Sequence, residues 1–375
     1  MCSSDLVKRA RVAYLDHHGD IVGGGQISLL ALMQGLQEYE AVCWCGARGS
    51  MSDAVNQAGV EGVVCSMPAL RVAHVASIFR AVIGLLRQVR RGPVILLHAN
   101  SSRSMCYAAL VGWLTGLPVV WHVRIAQAER RIDRVLARWA HGIIAISSAV
   151  ERRFPADLRH KVHLVHNGVD VDAYALAAPG AWKGAWGAGP TVGMVAQLIP
   201  WKRQDDFIRA MALVAKTYPD ARYVLVGEEP EGPSPYGVEL RDRVREVGLE
   251  RSIHFVGFCR EMPALYADLD VVVLCSENEP FGRVLIEAMA AAKPVVATRG
   301  GGVGDIVVEG ETGYLVEMGD CTGIATAVVD LLADPVRAQA MGEAGQRRAR
   351  QEFSIAAHVE RVEALYGALR ERSSA

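Results

Sequence analysis

"SENEPFGRVLIEAMAAAKPVVATRGGG", Ser276 to Gly302, sets two carboxylates on either side of a Pro-Phe-Gly break and closes on three glycines. Pro280 and Gly282 forbid one continuous helix through the stretch. They place Glu279 in a loop after the apolar strand Val271–Leu274, and they start a helix near Arg283. Glu287 then lies about one turn inside that helix. The N–H groups of Phe281, Gly282, Arg283 and Val284 converge at the helix start and form an anion cradle. A carboxylate on each side accepts hydrogen bonds from neutral hydroxyls. The ligand this pattern predicts has an anionic centre with hydroxyls at both ends, which is the shape of a nucleotide sugar. The plainer alternative makes Glu279 a solvated loop residue and Glu287 a buried cap.

Working outward, short apolar runs alternate with amphipathic ones along the chain. Val12–Leu15, Ala41–Cys45, Val94–His98, Val119–Val123 and Gly142–Ile146 read as strands, with helical stretches Ile27–Gln37, Ala73–Arg90 and Ala128–Trp139 between them. "ALAAPGAWKGAWGAGP", Ala175 to Pro190, has no periodicity and reads as a linker. A second strand set follows at Thr191–Ala196, Tyr223–Val226, His254–Val256, Val271–Leu274, Pro294–Ala297 and Gly313–Val316. The fold class expected is α/β, with two tandem Rossmann-like, doubly wound parallel-sheet domains and a ligand in the interdomain cleft. The expected divisions are residues 1–174, a linker at 175–190, a second domain at 191–355, and a last helix at 356–375 that packs locally or crosses back to the first domain.

With 375 residues, half of them apolar, and a formal charge of −1, the chain suits a globular pair of domains and no nucleic-acid partner. The charge is unevenly divided. Residues 1–176 carry 19 Lys/Arg against 13 Asp/Glu, and residues 177–375 carry 21 against 28. A basic first half suits an anionic contact, and a weak peripheral meeting with an anionic membrane is one expectation, centred on the arginines of the helix 71–91. The eight cysteines, Cys2 among them, fall mostly in apolar runs and suit a reducing cytoplasm. The polar N-terminus carries no visible signal peptide, and the uncharged run Met105–Trp121 reads as a buried helix and strand.

Three further constellations surround the opening one. "VGMVAQLIPWKRQ" ends a strand in a turn bearing Lys202 and Arg203, where a cation would neutralise a diphosphate. "DHHGDIVGGGQ" ends another strand in Gly23, Gly24 and Gly25, whose N–H groups could approach a phosphate closely, with a helix from about Gln26. His98 and His122 close two first-domain strands. His122, with Arg124 beside it, is the better candidate for touching a sugar. "DLD" at Asp268–Asp270 precedes its strand and reads as a solvated helix end, not a metal-binding Asp-x-Asp.

With these residues laid out, the chain resembles the GT-B glycosyltransferases, and within them the retaining family four (glycosyl transferases group 1). The motif E-P-F-G-x-x-x-x-E-A-M-A at Glu279–Ala290 carries the likeness most specifically, with "YVLVGEEPEG", "HNGVD" and the glycine loop in agreement. The resemblance implies metal-independent transfer from a nucleoside-diphosphate sugar, UDP ahead of GDP, to an acceptor of unknown class, with no cofactor. It implies that Glu279 contacts the donor sugar and Glu287 the ribose. Lys202 and the loop at Gly23–Gly24 would steady the diphosphate, Gln197 and Phe258 would lie near the nucleoside, and His122 against the sugar. Gln197 stands where the family commonly has Arg, Glu229 where it often has Gly, and Asp305 where it usually has Glu. Arg124 is an equal claimant to the family's His position. From the cysteines and the charge division, the setting expected is cytoplasmic, peripheral on the inner membrane face. A sugar-nucleotide epimerase or phosphorylase, or a non-catalytic nucleotide-sugar binder, is the alternative.

Overall fold

The structure, a computed structural model, describes residues 9–374 apart from Glu231, so Cys2 lies outside the described residues. The chain divides into two compact units, one of residues up to Gly168 together with those from Ile355 onward, the other Val169–Ser354.

The first unit holds seven parallel strands, β1 Arg11–Asp16, β2 Glu40–Cys45, β3 Glu61–Val64, β4 Val94–Ala99, β5 Val119–Val123, β6 Gly142–Ala145 and β7 Val162–Leu164. Their order in the sheet is β3-β2-β1-β4-β5-β6-β7. Neither edge strand was legible as a strand: β3 and β7 contain no fully buried residue, so they lack the apolar run that marks an inner parallel strand. Alternation along the strands assigns the helices to faces. Val12, Tyr14, Leu96 and Val120 pack with the helices Gly24–Gly35 and Ile355–Ser374. Leu97 and Val119, of opposite parity, meet Gly112 of the helix Ser102–Thr115. That helix lies between Val75–Arg91 and Arg130–Trp139 on the second face.

The last helix is integral to this unit. Its Tyr366 is wholly buried, and its Glu363 carboxylate accepts from the N–H groups of Gln37 and Glu38 at 2.9 and 2.8 Å. Cys43 and Cys45 share one face of β2 with their sulfurs 3.6 Å apart, and every cysteine among the described residues is reduced.

The second unit holds six parallel strands, β8 Thr191–Val195, β9 Arg222–Val226, β10 Ile253–Gly257, β11 Val271–Leu274, β12 Val295–Thr298 and β13 Gly313–Val316. Their order is β10-β9-β8-β11-β12-β13. This unit starts at Val169, earlier than the linker in the sequence suggests, because Val169 N–H donates to the Phe353 carbonyl at 2.8 Å and Val171 and Tyr174 are buried.

The stretch 175–190 is anchored rather than loose, and the anchor corrects the reading of "DLD". Asp268 is buried, not solvated, and accepts the N–H groups of Gly180, Trp182 and Lys183 at 2.5, 2.6 and 3.2 Å. Asp270 accepts the Thr191 N–H at 2.7 Å. Three donors on one carboxylate are what make its burial affordable.

In each sheet the strand order reverses once, between β1 and β4 and between β8 and β11. Ligand sites of open parallel sheets lie at the carboxyl ends of strands flanking such reversals.

Candidate active site

In the second unit, the loops after β8 and β11 are pinned together by backbone: Glu277 N–H donates to the Trp201 carbonyl at 2.8 Å. Trp201 and Lys202 belong to a single helical turn, Pro200–Lys202, which Arg203 closes in the left-handed region at φ 56°. The consequence is a direct pair, with Lys202 Nζ 2.6 Å from Glu279 Oε2 and the two side chains only 14% and 11% exposed. The same ammonium lies 4.0 Å from the Trp201 ring centre, a cation–π contact.

The triple glycine closes the other side. Gly302 N–H donates to the Glu279 carbonyl at 2.8 Å, and a Cβ on Gly301 would come within 1.9 Å of that oxygen. No side chain fits there, so the glycines are what let the Glu279 loop close.

The helix Arg283–Ala290 starts at Gly282 with no side-chain cap. Phe281 is buried edge-on against Phe353, while Val284 lies in the first turn. Glu287 is engaged from two directions: Arg283 Nε donates at 2.7 Å and the Tyr266 hydroxyl at 3.2 Å. Burial and then the Glu287 charge push the Tyr174 and Tyr266 hydroxyls above their usual range, so both phenols stay protonated. Each acid of the opening motif therefore has its own cation, Lys202 for Glu279 and Arg283 for Glu287. Sequence reading anticipated neither pairing.

The remaining positions of this unit fall around the same strand ends. The Gln197 carbonyl accepts from Gln204 Nε2 at 2.7 Å, and Phe258, just past β10, is 65% exposed. Glu229 serves its own loop: its carboxylate accepts the Ser234 N–H, which sets the entry to the helix Pro235–Glu246.

In the first unit the structure corrects the histidines. His98 and His122 are wholly buried and show no face to a ligand. They belong to a chain of contacts: Tyr14 Oη to Tyr366 Oη at 3.0 Å, Tyr366 Oη to His98 Nδ1 at 2.6 Å, and His98 Nε2 to His122 Nδ1 at 3.1 Å. Arg124 Nη2, which can only donate, lies 3.4 Å from the same His122 Nδ1. That assigns His122 Nδ1 as acceptor, His98 Nε2 as donor, and both tyrosine hydroxyls as donors along the chain. Burial and then the Arg124 charge push both imidazoles well below their usual range, so they are neutral.

What gathers at the carboxyl ends of β1, β4 and β5 is a different set. Arg124 Nε donates to Asn100 Oδ1 at 2.5 Å and Nη1 to Asn167 Oδ1 at 2.7 Å. Asn100 in turn donates to Asp16 Oδ2 at 2.7 Å. His18 donates its N–H to Asp16 Oδ1 at 3.0 Å, and Gln26 Nε2 lies 3.4 Å from Oδ2. Burial alone would raise Asp16, but the hydrogen bonds from His18 and Asn100 outweigh it and hold it below the usual carboxylate range.

The glycine loop joins this set. Its helix begins at Gly24, with Gly23 as an N-cap that has open space around it. A Cβ at Gly25 would lie 3.0 Å from Arg124 Cδ. Asp16, His17 and His18 are the one group among the described residues whose ligand atoms cluster closely enough for a metal, within 4.8 Å. Asp16 spends its oxygens on Asn100, Gln26 and His18, and His17 Nδ1 meets Ser101 Oγ at 2.9 Å, so the trio is closed upon protein partners.

Residues 183–348 match the family described as Glycosyl transferases group 1, and residues 22–173 match Glycosyltransferase Family 4. The chain is 35% identical over 251 residues to a GDP-mannose-dependent alpha-(1-6)-phosphatidylinositol monomannoside mannosyltransferase of Mycolicibacterium smegmatis, covering 63% of this chain and 62% of that one. It is 35% identical over 165 residues to N-acetyl-alpha-D-glucosaminyl L-malate synthase of Bacillus anthracis, covering 44% of this chain and 42% of that one. The matched segments thus span less than two thirds of these relatives' own length. Among solved structures, the Anabaena HepE protein in complex with UDP and glucose superposes with a TM-score of 0.84 at 24% identity, covering 96% of this chain and all of that one. That likeness establishes the fold.

Proposed function

Because the chain belongs to the group 1 glycosyltransferases of the GT-B fold, we propose that it moves a sugar from a nucleoside-diphosphate donor to an acceptor hydroxyl, with retention at the anomeric carbon. The observation that carries this reading is the Lys202–Glu279 pair, 2.6 Å long and largely buried beside an uncapped helix start. In the resting protein the pair is self-satisfied. A diphosphate entering beside Gly282 competes for Lys202 and releases the Glu279 carboxylate to accept hydroxyls of the donor sugar. Lys202, Arg283 and the positive end of the helix then face the departing phosphate, supplying the charge that a metal ion would supply in other transferases.

In the proposed front-face displacement the bond from the anomeric carbon to the phosphate oxygen breaks, and its electron pair stays with the phosphate. The acceptor oxygen bonds the same carbon on the same face, and its proton passes to the leaving phosphate. A glycosidase would instead need an acid to protonate a poor leaving group. Both acids here are paired with cations, Lys202 and Arg283.

Glu287 is proposed to hold the ribose once Arg283 shifts toward phosphate, with Gln197 and the exposed Phe258 beside the base. Within the first unit, taken by itself, Arg124 in place of His122 is the proposed substrate contact, with Gly23 and Gly24 the proposed phosphate-binding loop. Of the two common carriers we propose UDP. Nothing observed favours an epimerase, a phosphorylase or a silent binder.

The test is a panel of UDP- and GDP-sugars with lipid, glycan and small-molecule acceptors, read by nucleotide release and by the anomeric configuration of the product. An inverted product, or release without any transfer, overturns the proposal.

A further inference from the structure

One layer of the first unit exposes an unusual surface. From residue 62 to residue 128 the chain contains no Asp or Glu, and all seven of its Lys/Arg residues are arginines. This stretch supplies the helices Val75–Arg91 and Ser102–Thr115, which with the neighbouring Arg130–Trp139 cover one face of the sheet. Large apolar side chains stand in solvent along this layer: Phe79 is 66% exposed, Trp113 66%, Val135 54% and Trp139 47%.

The last of these helices shows the design most clearly. Its inner positions are only Asp133, Leu136 and Ala137 among the described side chains. Ile132, Val135 and Trp139 form an outward apolar stripe at helical spacing, and Arg131, Arg134 and Arg138 form a basic stripe directly beside it. Arg134 meets Asp157 at 3.1 Å. Among the described residues, Arg87, Arg131 and Arg138 have no acidic partner.

We propose that this three-helix layer seats the protein on a bilayer containing anionic lipid. Two features choose the occupant. Tryptophan and short aliphatic side chains beside arginine match the interface between acyl chains and acidic headgroups, where each finds its preferred medium. A second copy of the chain docking here by two-fold symmetry would set arginines against arginines. No helix among the described residues is long and apolar enough to cross a membrane, so the contact lies flat on the surface. It needs no residue of the second unit and stands apart from the donor-site reading.

The test is co-sedimentation of the full chain with vesicles of phosphatidylcholine alone or mixed with phosphatidylglycerol. Two double variants, Trp113→Ser with Trp139→Ser and Arg131→Glu with Arg138→Glu, accompany the wild type, each checked for an unchanged melting transition. The wild type is expected to pellet only with the mixed vesicles. Charge reversal changes the surface by four charges, so its partitioning should fall at least about a hundredfold, and that of the tryptophan variant at least about tenfold. Equal pelleting on neutral vesicles, no pelleting, or folded variants that pellet like the wild type overturns the proposal. So does self-association of the wild type that the tryptophan variant abolishes while vesicle binding is absent.

Discussion

Lys202 and Glu279 can be separated by a double-mutant cycle, Lys202→Met, Glu279→Gln and the two combined. Removing the ammonium leaves a carboxylate that is 11% exposed with no counter-charge. For a fully buried pair that costs about 3–5 kcal/mol, and with some solvent access about 2 kcal/mol is the reasonable figure here. Glu279→Gln strands the ammonium at a similar cost. The double variant has neither charge, so its stability should return to within about 1 kcal/mol of the wild type, a coupling of about 3 kcal/mol.

Activity should behave differently. A cation about 4 Å from a phosphate oxygen, at an effective dielectric of about 20, contributes about 4 kcal/mol. Allowing half for screening, Lys202→Met should lower turnover roughly thirtyfold to a thousandfold. The double variant should recover stability and not turnover. Denaturant melts give the first quantity, and nucleoside-diphosphate release from the best donor gives the second. A double variant that regains turnover would show that Lys202 serves only to neutralise Glu279, and the reasoning about the leaving group would fail.

Arg124 and His122 make a sharper contrast than either alone. Arg124→Met should lower turnover at least about tenfold, whereas His122→Asn, which breaks the buried tyrosine–histidine chain, should cost about 1–3 kcal/mol of stability with turnover retained in the folded fraction. Steady-state kinetics beside thermal melts decides between them, and equal losses of turnover would refute the assignment. Acid should destabilise the first unit. Burial, and then the charges of His18 and Arg103, lower His17 from 6.5 to about 4. The unfolded chain therefore takes the proton first, so this contribution is complete above about pH 6.5 and is lost as pH falls toward 4. It amounts to about 1–2 kcal/mol once solvent access is discounted. His98 and His122 act in the same direction. Melts across that window should slope downward toward acid, and His17→Gln should reduce the slope; an unchanged slope counts against it.

Sequence reading found every inner strand because a parallel strand covered on both faces is a near-continuous apolar run. It missed β3 and β7, whose residues are half exposed and carry no such signal. The positions of Glu279 and Glu287 were legible because proline and glycine fix where the helix must begin. Their partners were not, since Lys202 and Glu279 are 77 positions apart and meet only when two strand ends are adjacent.

The histidine error has a simple geometric cause. His98 and His122 sit within β4 and β5, so their side chains point into the helical layer. Asn100 and Arg124 each stand one position beyond their strand's end, where the side chain is released from the pleat. Asp16 closes β1 and reaches the same place. The set is therefore drawn from the last residue of β1 and the first residues past β4 and β5, while positions one step inside β4 and β5 face the helical layer.

The return of the helix Ile355–Ser374 to the first unit has a consequence for biogenesis. During synthesis the second unit emerges as one continuous segment and can be completed as soon as it leaves the ribosome. The first unit cannot. Tyr14 and Gln37 acquire their partners Tyr366 and Glu363 only after the whole second unit has been made. Until then Leu29, Leu32 and Leu36 lack the apolar helix that covers them. The domain born first is therefore completed after the second, and a chain that stops short of Ile355 would carry an open, aggregation-prone first unit.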